Sequence, residues 1–277
     1  MNLIRLQELN GQRWAAAKLT RGPEFLRFAK VAVANKDCYV SICQRSNMAD
    51  IAWVFVAVSH YRESTQDFTT NLGQGDPLNQ KTRHVPAGRG PFKGPTAFED
   101  GAVDALVSCA PYASRNKDWS IGGILTYLER YNGLAYAGAE RPSPYIWSGT
   151  NQYQIGKVIV DHGPIMPVVD KQLGCAGLIM SMMKLDPMIE FPDVTGWVVD
   201  IPLVPVEGVY DAVWLQYSLN KLGATPPLKV DGIVGAATRT AVKAFQKANG
   251  LKIDGVAGTV ETIPAIKRLL AKIKVTV

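Results

Sequence analysis

The 277 residues are enough for one larger domain and one small domain, and a hydrophobic content of 47% is ordinary for a globular protein with a sizeable core. The longest apolar stretch, residues 51–58, is too short to span a membrane, and the charged N-terminus lacks the apolar core of a signal peptide, so we expect synthesis in the cytoplasm. The net charge of +6 is uneven, with +5 on residues 1–46, −5 on residues 47–208 and +6 on residues 209–277. Basic ends favour attachment to an anionic surface; nucleic acid and bacterial wall are both candidates, and charge alone does not choose between them.

The N-terminal segment, residues 3–46, has the apolar spacing of helices. Two incomplete stripes run along it, formed by Leu3, Leu6, Leu9, Trp14 and Ala17, and by Phe25, Phe28, Ala29 and Ala32. We expect these helices to pack on the helix that follows them.

The stretch 51–68 opens with a predicted helix that ends at Glu63 and lies in the middle of a domain. The first half is apolar on nearly every side, which is typical of a buried helix. Glu63 follows Phe55 and Ser59 at steps of four residues, so it lies on a face that enters the core. A carboxyl group there is partly desolvated, which raises its pKa and favours a proton donor near neutral pH. From periodicity alone, the alternative is a glutamate at a helix end that points to water.

A long irregular loop is predicted after this helix. Residues 70–78 and 84–92 are rich in Gly, Pro and Asn, which break regular helices. Long ordered loops in compact domains are usually functional. Asp67 and Asp76 supply the carboxylates of this region, although an aspartate before a proline, as Asp76 is, also suits a turn.

The next two helices have recognisable ends. Thr96 and Glu99 have the spacing of a capping box and predict a helix that runs to about Cys109. A second helix begins near Ile121, and the pair Asn132-Gly133 is a typical C-terminal stop.

The segment 143–151 is predicted to be an open loop that carries Tyr145, Trp147 and Asn151. Aromatic rings stack on sugar faces and amides bind hydroxyls, so these side chains favour a carbohydrate ligand. A loop held down by its own aromatic side chains fits the pattern equally well. Residues 168–185 then predict a last helix of this domain, with its inward face formed by Leu173, Ala176, Met180 and Met183.

Residues 191–208 contain three prolines and no helical period, and so predict a linker that is partly packed through Trp197. The chain then repeats itself, since Leu228-Lys-Val-Asp-Gly-Ile-Val-Gly235 returns as Leu251-Lys-Ile-Asp-Gly-Val-Ala-Gly258. Each Asp-Gly pair predicts a tight turn. With helical patterns before, between and after the turns, residues 209–277 predict a small three-helix domain.

Four motifs of this C-terminal segment are Leu215-Gln216, Val230-Asp-Gly-Ile-Val-Gly235, Ala244-Phe245-Gln246 and Gly250-Leu-Lys-Ile-Asp-Gly255. Together they closely resemble the type 1 peptidoglycan-binding domain, a three-helix bundle that anchors proteins to the wall. The resemblance implies that Asp231 and Asp254 lie beside a groove for glycan and peptide. The alternative is that both aspartates only form their turns through side-chain caps.

Motifs also occur over residues 60–185, namely Arg62-Glu63-Ser64, Gly75-Asp-Pro-Leu78, Val85-Pro-Ala-Gly-Arg89, Glu129-Arg-Tyr-Asn-Gly133 and Ser143-Pro-Tyr-Ile-Trp-Ser-Gly-Thr-Asn151. They resemble phage endolysins of the lysozyme-like superfamily that is related to lytic transglycosylases. That superfamily is mostly helical and cleaves the MurNAc–GlcNAc β-1,4 bond. The resemblance implies that Glu63 is the general acid, that Tyr131 and Asn132 contact sugar, and that Asp76, with Asp67 in reserve, positions the attacking water.

We therefore predict a mainly α protein, with a lysozyme-like muramidase domain at 1–190, a linker at 191–208 and a peptidoglycan-binding domain at 209–277. The expected activity is hydrolysis of the glycan strand. A lytic transglycosylase would use the same Glu63 and need no base, because the C6 hydroxyl of the sugar attacks. The carboxylates of Asp67 and Asp76 in the adjoining loop favour hydrolysis.

Two hypotheses from other classes stay open. One is a non-catalytic protein of the wall or the virion, and the other is a cysteine peptidase that uses Cys175 and His162. A thiol inside an apolar helix is normally inert, which counts against the peptidase.

Cysteine and histidine spacing matches no zinc or redox site, so we expect no cofactor or metal. The expected partner is peptidoglycan, without nucleic acid and without an integral membrane segment. We expect a monomer that accumulates in the host cytoplasm and acts on the wall, in the periplasm, after release; holin-assisted release is implied by the resemblance.

Overall fold

The computed structural model of the protein describes residues 2–160, 163–194, 210, 212–230, 232 and 234–274. The chain divides into two compact units, Met1–Ile201 and Pro202–Val277, which we call unit 1 and unit 2. Most of the predicted linker, including Trp197, lies outside the described residues. Phe191, at its predicted start, is buried in the core of unit 1.

Unit 1 is built from helices with one short hairpin. Its helices are α1 (Leu3–Ala16), α2 (Gly22–Ala34), α3 (Lys36–Arg45), α4 (Trp53–Ser64), α5 (Ala97–Val107), α6 (Ile121–Asn132), α7 (Ala135–Gly138), α8 (Pro144–Trp147) and α9 (Cys175–Leu185). Strands β1 (Lys157–Val158) and β2 (Ile165–Met166) pair antiparallel, with Lys157 opposite Met166. The prediction of helices over residues 3–46 is confirmed.

Helix α4 is the centre of unit 1, as its apolar sequence predicts. Every residue from Trp53 to Tyr61 is buried. Helices α2, α3, α6 and α9 surround it, so an apolar side chain finds a partner on every side. The helix ends because Thr65 adopts a left-handed conformation, with φ of 56°. Glu63 is therefore held in the last turn of a rigid, buried helix.

Helix α5 begins directly after Thr96, as predicted, but its capping box is absent, and the predicted start of the last helix of unit 1 is wrong. Thr96 has ψ of 13° and makes no cap hydrogen bond to α5; its hydroxyl donates instead to the Asp100 carboxylate at 3.0 Å, so no capping box forms. The last helix of unit 1 begins at Cys175 rather than near residue 168. A Cβ on Gly174 would lie 2.4 Å from the Ile146 carbonyl oxygen, so this segment is fixed by close packing rather than by helical periodicity.

The long loop is irregular, as predicted, since residues 65–96 contain neither a helix nor a paired strand beyond an isolated bridge from Thr70 to Pro77. The segment 143–151 is not an open loop. It forms α8, and every residue from Ser143 to Thr150 is buried. The apolar side chains Ile146 and Trp147 cause this difference, because they join the main core.

Unit 2 has its own small core. Helices α10 (Ala212–Lys221), α11 (Ala236–Ala248) and α12 (Thr262–Lys274) pack around Trp214, Leu215, Leu219, Leu228, Val242 and Ile266. The mainly helical fold class, with a three-helix C-terminal domain, is confirmed. Among the described residues, no helix has both the length and the apolar character that crossing a bilayer requires.

Candidate functional site

Glu63 has the environment of a proton donor. Its carboxyl group is half-buried in the last turn of α4, and the Tyr145 hydroxyl donates a hydrogen bond to Oε1 at 3.0 Å. Burial raises the pKa of Glu63 to about 7, and the Tyr145 hydrogen bond and the Arg62 charge offset part of that rise. The group is therefore protonated over much of the range up to neutral pH, and it can also carry a charge once the proton has left.

Arg62 holds the other side of Tyr145. Its guanidinium lies 4.6 Å from the centre of the Tyr145 ring, a cation–π contact. Nη1 donates to the Leu173 carbonyl oxygen at 2.9 Å, and Nη2 donates to Asp170 Oδ2 at 3.1 Å. Since the Arg62 and Asp170 side chains are only 7% and 2% exposed, this ion pair is a fixed part of the core.

Asp170 forms ion pairs with two cations, Arg62 and Lys157. Lys157 Nζ donates to its Oδ1 at 3.0 Å, opposite the contact with Arg62. Burial disfavours the charged carboxylate, but these two cations and their hydrogen bonds keep the pKa of Asp170 below its ordinary value. Both oxygens are occupied, so Asp170 supports Arg62 rather than offering a free base. Sequence reasoning missed Asp170 and Lys157, since each lies about a hundred residues from Arg62 and no local pattern joins them.

A cleft of ≈ 410 Å³ opens beside this network. It is lined by Arg62, Tyr145, Lys157, Asp170 and the segment 132–136, with Pro144 and Val158 completing the wall. The structure thus brings Asn132 and Tyr145, two of the predicted sugar-contacting residues, into one cleft, and Tyr145 also contacts Glu63. Asn132 is exposed at the end of α6, where its amide is free to meet a ligand.

Tyr131 and the start of the long loop close the other side of Glu63. The ring centres of Tyr131 and Phe55 lie 5.7 Å apart in an edge-to-face contact. Burial, together with the nearby Glu63 charge, raises the pKa of Tyr131. A Cβ on Gly73 would lie 3.8 Å from the Tyr131 hydroxyl, and one on Gly75 would lie 3.0 Å from the Glu63 carbonyl oxygen. Gly75 also has φ of 69°, so glycine lets the loop pass against the end of α4.

The two loop carboxylates have structural partners. Asp76 Oδ2 accepts from the backbone amides of Arg83 and His84 at 2.8 and 2.9 Å, and Oδ1 lies 2.8 Å from His84 Nδ1. These hydrogen bonds lower the pKa of Asp76. Asp67 Oδ1 accepts from the Thr69 amide and hydroxyl at 2.9 and 2.7 Å. Both groups are therefore engaged in shaping the loop.

Trp147 is not placed to contact a sugar, which corrects the prediction. The ring is fully buried in the core of unit 1. Asn151 is exposed, but its Oδ1 accepts from the Lys18 amide at 2.7 Å and its Nδ2 donates to the Ala16 carbonyl oxygen at 3.1 Å, so the side chain caps the end of α1. Of the three predicted sugar-contacting residues of this segment, only Tyr145 reaches the site.

In unit 2, a buried glutamine organises each repeated turn. Gln246 Oε1 accepts from the Gly255 amide at 2.9 Å, and its Nε2 donates to Asp254 Oδ1 at 2.9 Å. Asp254 Oδ1 also accepts from the Val256 amide at 2.9 Å, so this aspartate forms its turn. Gln216 Oε1 likewise accepts from the Gly232 amide at 2.9 Å. Asp231 lies outside the described residues, and its predicted role stays a prediction.

The structure gives the cysteine peptidase hypothesis no support. Cys175 is fully buried at the start of α9, and burial raises the pKa of its thiol well above the ordinary value, so it is not a ready nucleophile. His162 lies outside the described residues. Within those residues, no group of three His, Cys, Asp or Glu side chains could hold a metal ion.

Comparison with known proteins identifies the C-terminal domain. A family model described as "Putative peptidoglycan binding domain" matches residues 209–261, within unit 2. No curated protein and no solved structure matches the chain. The peptidoglycan-binding domain and its association with peptidoglycan are therefore supported independently of the motifs.

Proposed function

Since the chain carries a peptidoglycan-binding domain, we propose that unit 1 is a glycosidase that cleaves the MurNAc–GlcNAc β-1,4 bond of the same polymer, with Glu63 as general acid. The observation that carries the proposal is the Glu63 carboxyl group, whose pKa is raised to about 7 and which accepts a hydrogen bond from Tyr145 beside an open cleft. A phage-type endolysin is the biological setting that the motifs imply. It would be made in the host cytoplasm and reach the wall after release.

The groups around Glu63 suit both halves of the proton transfer. The protonated carboxyl donates its proton to the glycosidic oxygen as the bond breaks. The carboxylate that remains is stabilised by the Tyr145 hydroxyl at 3.0 Å and by the charge of Arg62. Because Asp170 and the Leu173 carbonyl oxygen fix Arg62, Tyr145 meets Glu63 in a defined geometry. Asn132 and Tyr131, on either side, are the groups that contact the sugar in this proposal.

The position of the second carboxylate distinguishes two reactions. An inverting hydrolase needs a base about 6.5–9.5 Å from the acid to activate water. Asp76 and Asp67 were the sequence candidates, but their oxygens accept hydrogen bonds from the loop. That observation favours a second candidate, the lytic transglycosylase, in which the C6 hydroxyl of MurNAc attacks and the product carries a 1,6-anhydro end.

The proposal is tested by Glu63→Gln, which keeps the size of the side chain but removes the proton. We expect lysis of purified wall to fall by roughly 10²–10⁴-fold, because a general acid typically contributes that factor. Circular dichroism and pelleting with wall should stay normal. Glu190→Gln changes an exposed glutamate and is the matched control. A folded Glu63→Gln protein that still lyses wall would refute the proposal, and binding without cleavage by the unchanged protein would favour the non-catalytic hypothesis.

Mass spectrometry of the products separates the two reactions. Hydrolysis leaves reducing MurNAc ends, whereas transglycosylation leaves anhydro ends that are lighter by one water. Asp76→Asn should strongly slow hydrolysis if Asp76 is the base, and should leave transglycosylation nearly unchanged. Reducing ends together with full activity of Asp76→Asn would exclude Asp76 as the base and leave Asp67 to be tested next.

A further inference from the structure

A second cleft of unit 1, of ≈ 470 Å³, lies between the first turns of α1, the segment 111–118 and α6. Three cations line it, namely Arg115, Lys117 and Arg130, together with the tyrosines Tyr112 and Tyr127. None of these residues belongs to the network around Glu63. The cleft therefore requires an explanation of its own.

Each of the two arginines stacks on a tyrosine of the cleft. The Arg115 guanidinium lies 4.2 Å from the centre of the Tyr112 ring, and that of Arg130 lies 5.6 Å from the centre of the Tyr127 ring. Burial raises the pKa of Tyr127, and the charges of both Arg130 and Arg115 oppose that rise, so both act on its hydroxyl group. Tyr127 is itself fixed, because its hydroxyl donates to the Pro111 carbonyl oxygen at 2.8 Å. Stacked guanidinium groups keep their hydrogen-bond donors available for a carboxylate.

The positive charge of this cleft is not neutralised within the described part of the chain. Arg115, Lys117 and Arg130 form no ion pair there. The cleft contains one carboxylate, Asp118, and its oxygens accept from Gln7 Nε2 at 2.6 Å and from the Ser120 amide at 3.0 Å. These three unpaired cations lie together in a segment, residues 47–208, whose net charge is −5.

The cleft lies next to the proposed site along α6. Tyr127 precedes Tyr131 by four residues, which is about one helical turn, or roughly 6 Å. Both rings contact the Phe55 ring edge to face, with ring centres 5.8 Å apart for Tyr127 and 5.7 Å apart for Tyr131. Arg130 lines this cleft and Asn132, two residues later in α6, lines the cleft beside Tyr145, so the two clefts lie within the reach of a short peptide at about 3.4 Å per extended residue.

We propose that this cleft binds the carboxylates of the peptide stem that MurNAc carries, while its sugar lies beside Glu63. The inference rests on the proposed function, since it places the glycan strand beside Tyr145 and Glu63. Stem peptides carry several carboxylates on a short flexible chain, which matches the three cations that line the cleft. The cleft would thus make the protein selective for glycan strands that still bear peptides.

The test compares soluble glycan strands with uncrosslinked stem peptides against the same strands after an amidase has removed the peptides. The double variant Arg115→Gln/Arg130→Gln should lose about tenfold in kcat/KM on peptide-bearing strands, as expected for two partly exposed charge-assisted contacts. It should stay within about twofold of the unchanged protein on peptide-free strands. Lys18→Gln/Lys81→Gln removes the same charge from two exposed positions outside the cleft and is the control.

An equal loss on both kinds of strand, or no loss on either, would overturn the assignment while leaving the glycosidase proposal intact. If the unchanged protein cleaves neither strand, the glycosidase proposal fails, and calorimetry with a GlcNAc–MurNAc-tetrapeptide decides the cleft separately. This ligand has no MurNAc–GlcNAc bond to cleave. Weaker binding by the Arg115→Gln/Arg130→Gln protein alone supports the assignment, and equal binding by all three proteins refutes it. Unit 2 contributes equally in each protein, because no variant changes it.

Discussion

Burial and the hydrogen bond from Tyr145 together set the pKa of Glu63, and in the proposed reaction they set the pH range in which this group acts as an acid. As the proposed general acid, Glu63 would donate a proton only below its pKa of about 7, so activity should fall as the pH rises through that value. The Tyr145 hydroxyl stabilises the carboxylate and lowers the pKa, so Tyr145→Phe should raise it. We expect the basic limb of the pH–rate profile of wall lysis to move to higher pH in this variant.

Tyr217→Phe removes a hydroxyl group from unit 2 and is the control for this profile. A basic limb that stays in place in Tyr145→Phe would show that the group limiting activity at high pH is not Glu63.

Individual residues differ in how far the sequence could place them. Glu63 was predictable, because a continuous apolar run and steps of four residues fix its place on α4. Tyr145 was predicted to stack on a sugar, but its hydroxyl binds Glu63, 82 residues earlier in the chain. The pair of Arg62 and Asp170 joins positions 108 residues apart. Such contacts follow from tertiary packing, which periodicity within one segment does not contain.

At the scale of elements, α1 and α6 are joined by an unusual polar contact. A Cβ on Gly122 would lie 3.0 Å from the Gln7 carbonyl oxygen, so glycine lets the two helices approach closely. Asn10 and Glu129 have no exposed surface in this contact, and Asn10 Nδ2 donates to Thr126 Oγ1 at 3.2 Å. Burial raises the pKa of Glu129 to about 7, and Asn10 and the charge of Arg13 offset part of that rise.

Glu129 should therefore make the stability of unit 1 depend on pH. The folded state holds the proton up to about pH 7, whereas the unfolded chain releases it near the ordinary value of 4.5, so the free energy of unfolding falls as the pH rises between these values. Glu129→Gln removes this loss, and we expect it to be more stable than the unchanged protein by roughly 1–3 kcal/mol at about pH 8, with little gain near pH 5. Urea unfolding followed by tryptophan fluorescence measures the difference. A gain that is the same at both pH values would contradict the argument, and Glu190→Gln should show none.

Elements were predicted best where one segment determines its own structure. The helices of residues 3–46 and α4 follow from apolar periodicity alone. The start of α9 does not, since the ion pairs of Asp170 and the contact of Gly174 with Ile146 fix residues 170–174 outside the helix. For the same reason α8 was predicted as a loop, because its four residues are too few to show a period and are buried by the rest of unit 1.

At the scale of the whole molecule, each unit has its own core, and the two cores share no residue. We therefore expect the fragment 202–277 to fold and to pellet with purified peptidoglycan, while 1–201 binds less and keeps its cleavage activity. Residues 209–277 carry a net charge of +6, so binding should weaken as salt is added. A folded fragment 202–277 that stays in the supernatant at low salt would show that anchoring to the wall requires unit 1.

The glutamines of unit 2 make its two turns equivalent. Gly232 and Gly255 share the same φ of 76°, and each donates its amide to a glutamine Oε1 at 2.9 Å. Each glutamine Nε2 in turn donates to a threonine hydroxyl at 3.1 Å, that of Thr238 or Thr262. The helix before each turn thus supplies the glutamine that holds the turn glycine, Gln216 for Gly232 and Gln246 for Gly255. The repeated contact between glutamine and turn glycine is consistent with an ancestral duplication of one helix and one turn. It also allows either turn to be replaced by loop grafting to change wall recognition, because the glutamine holds the backbone of the turn in place.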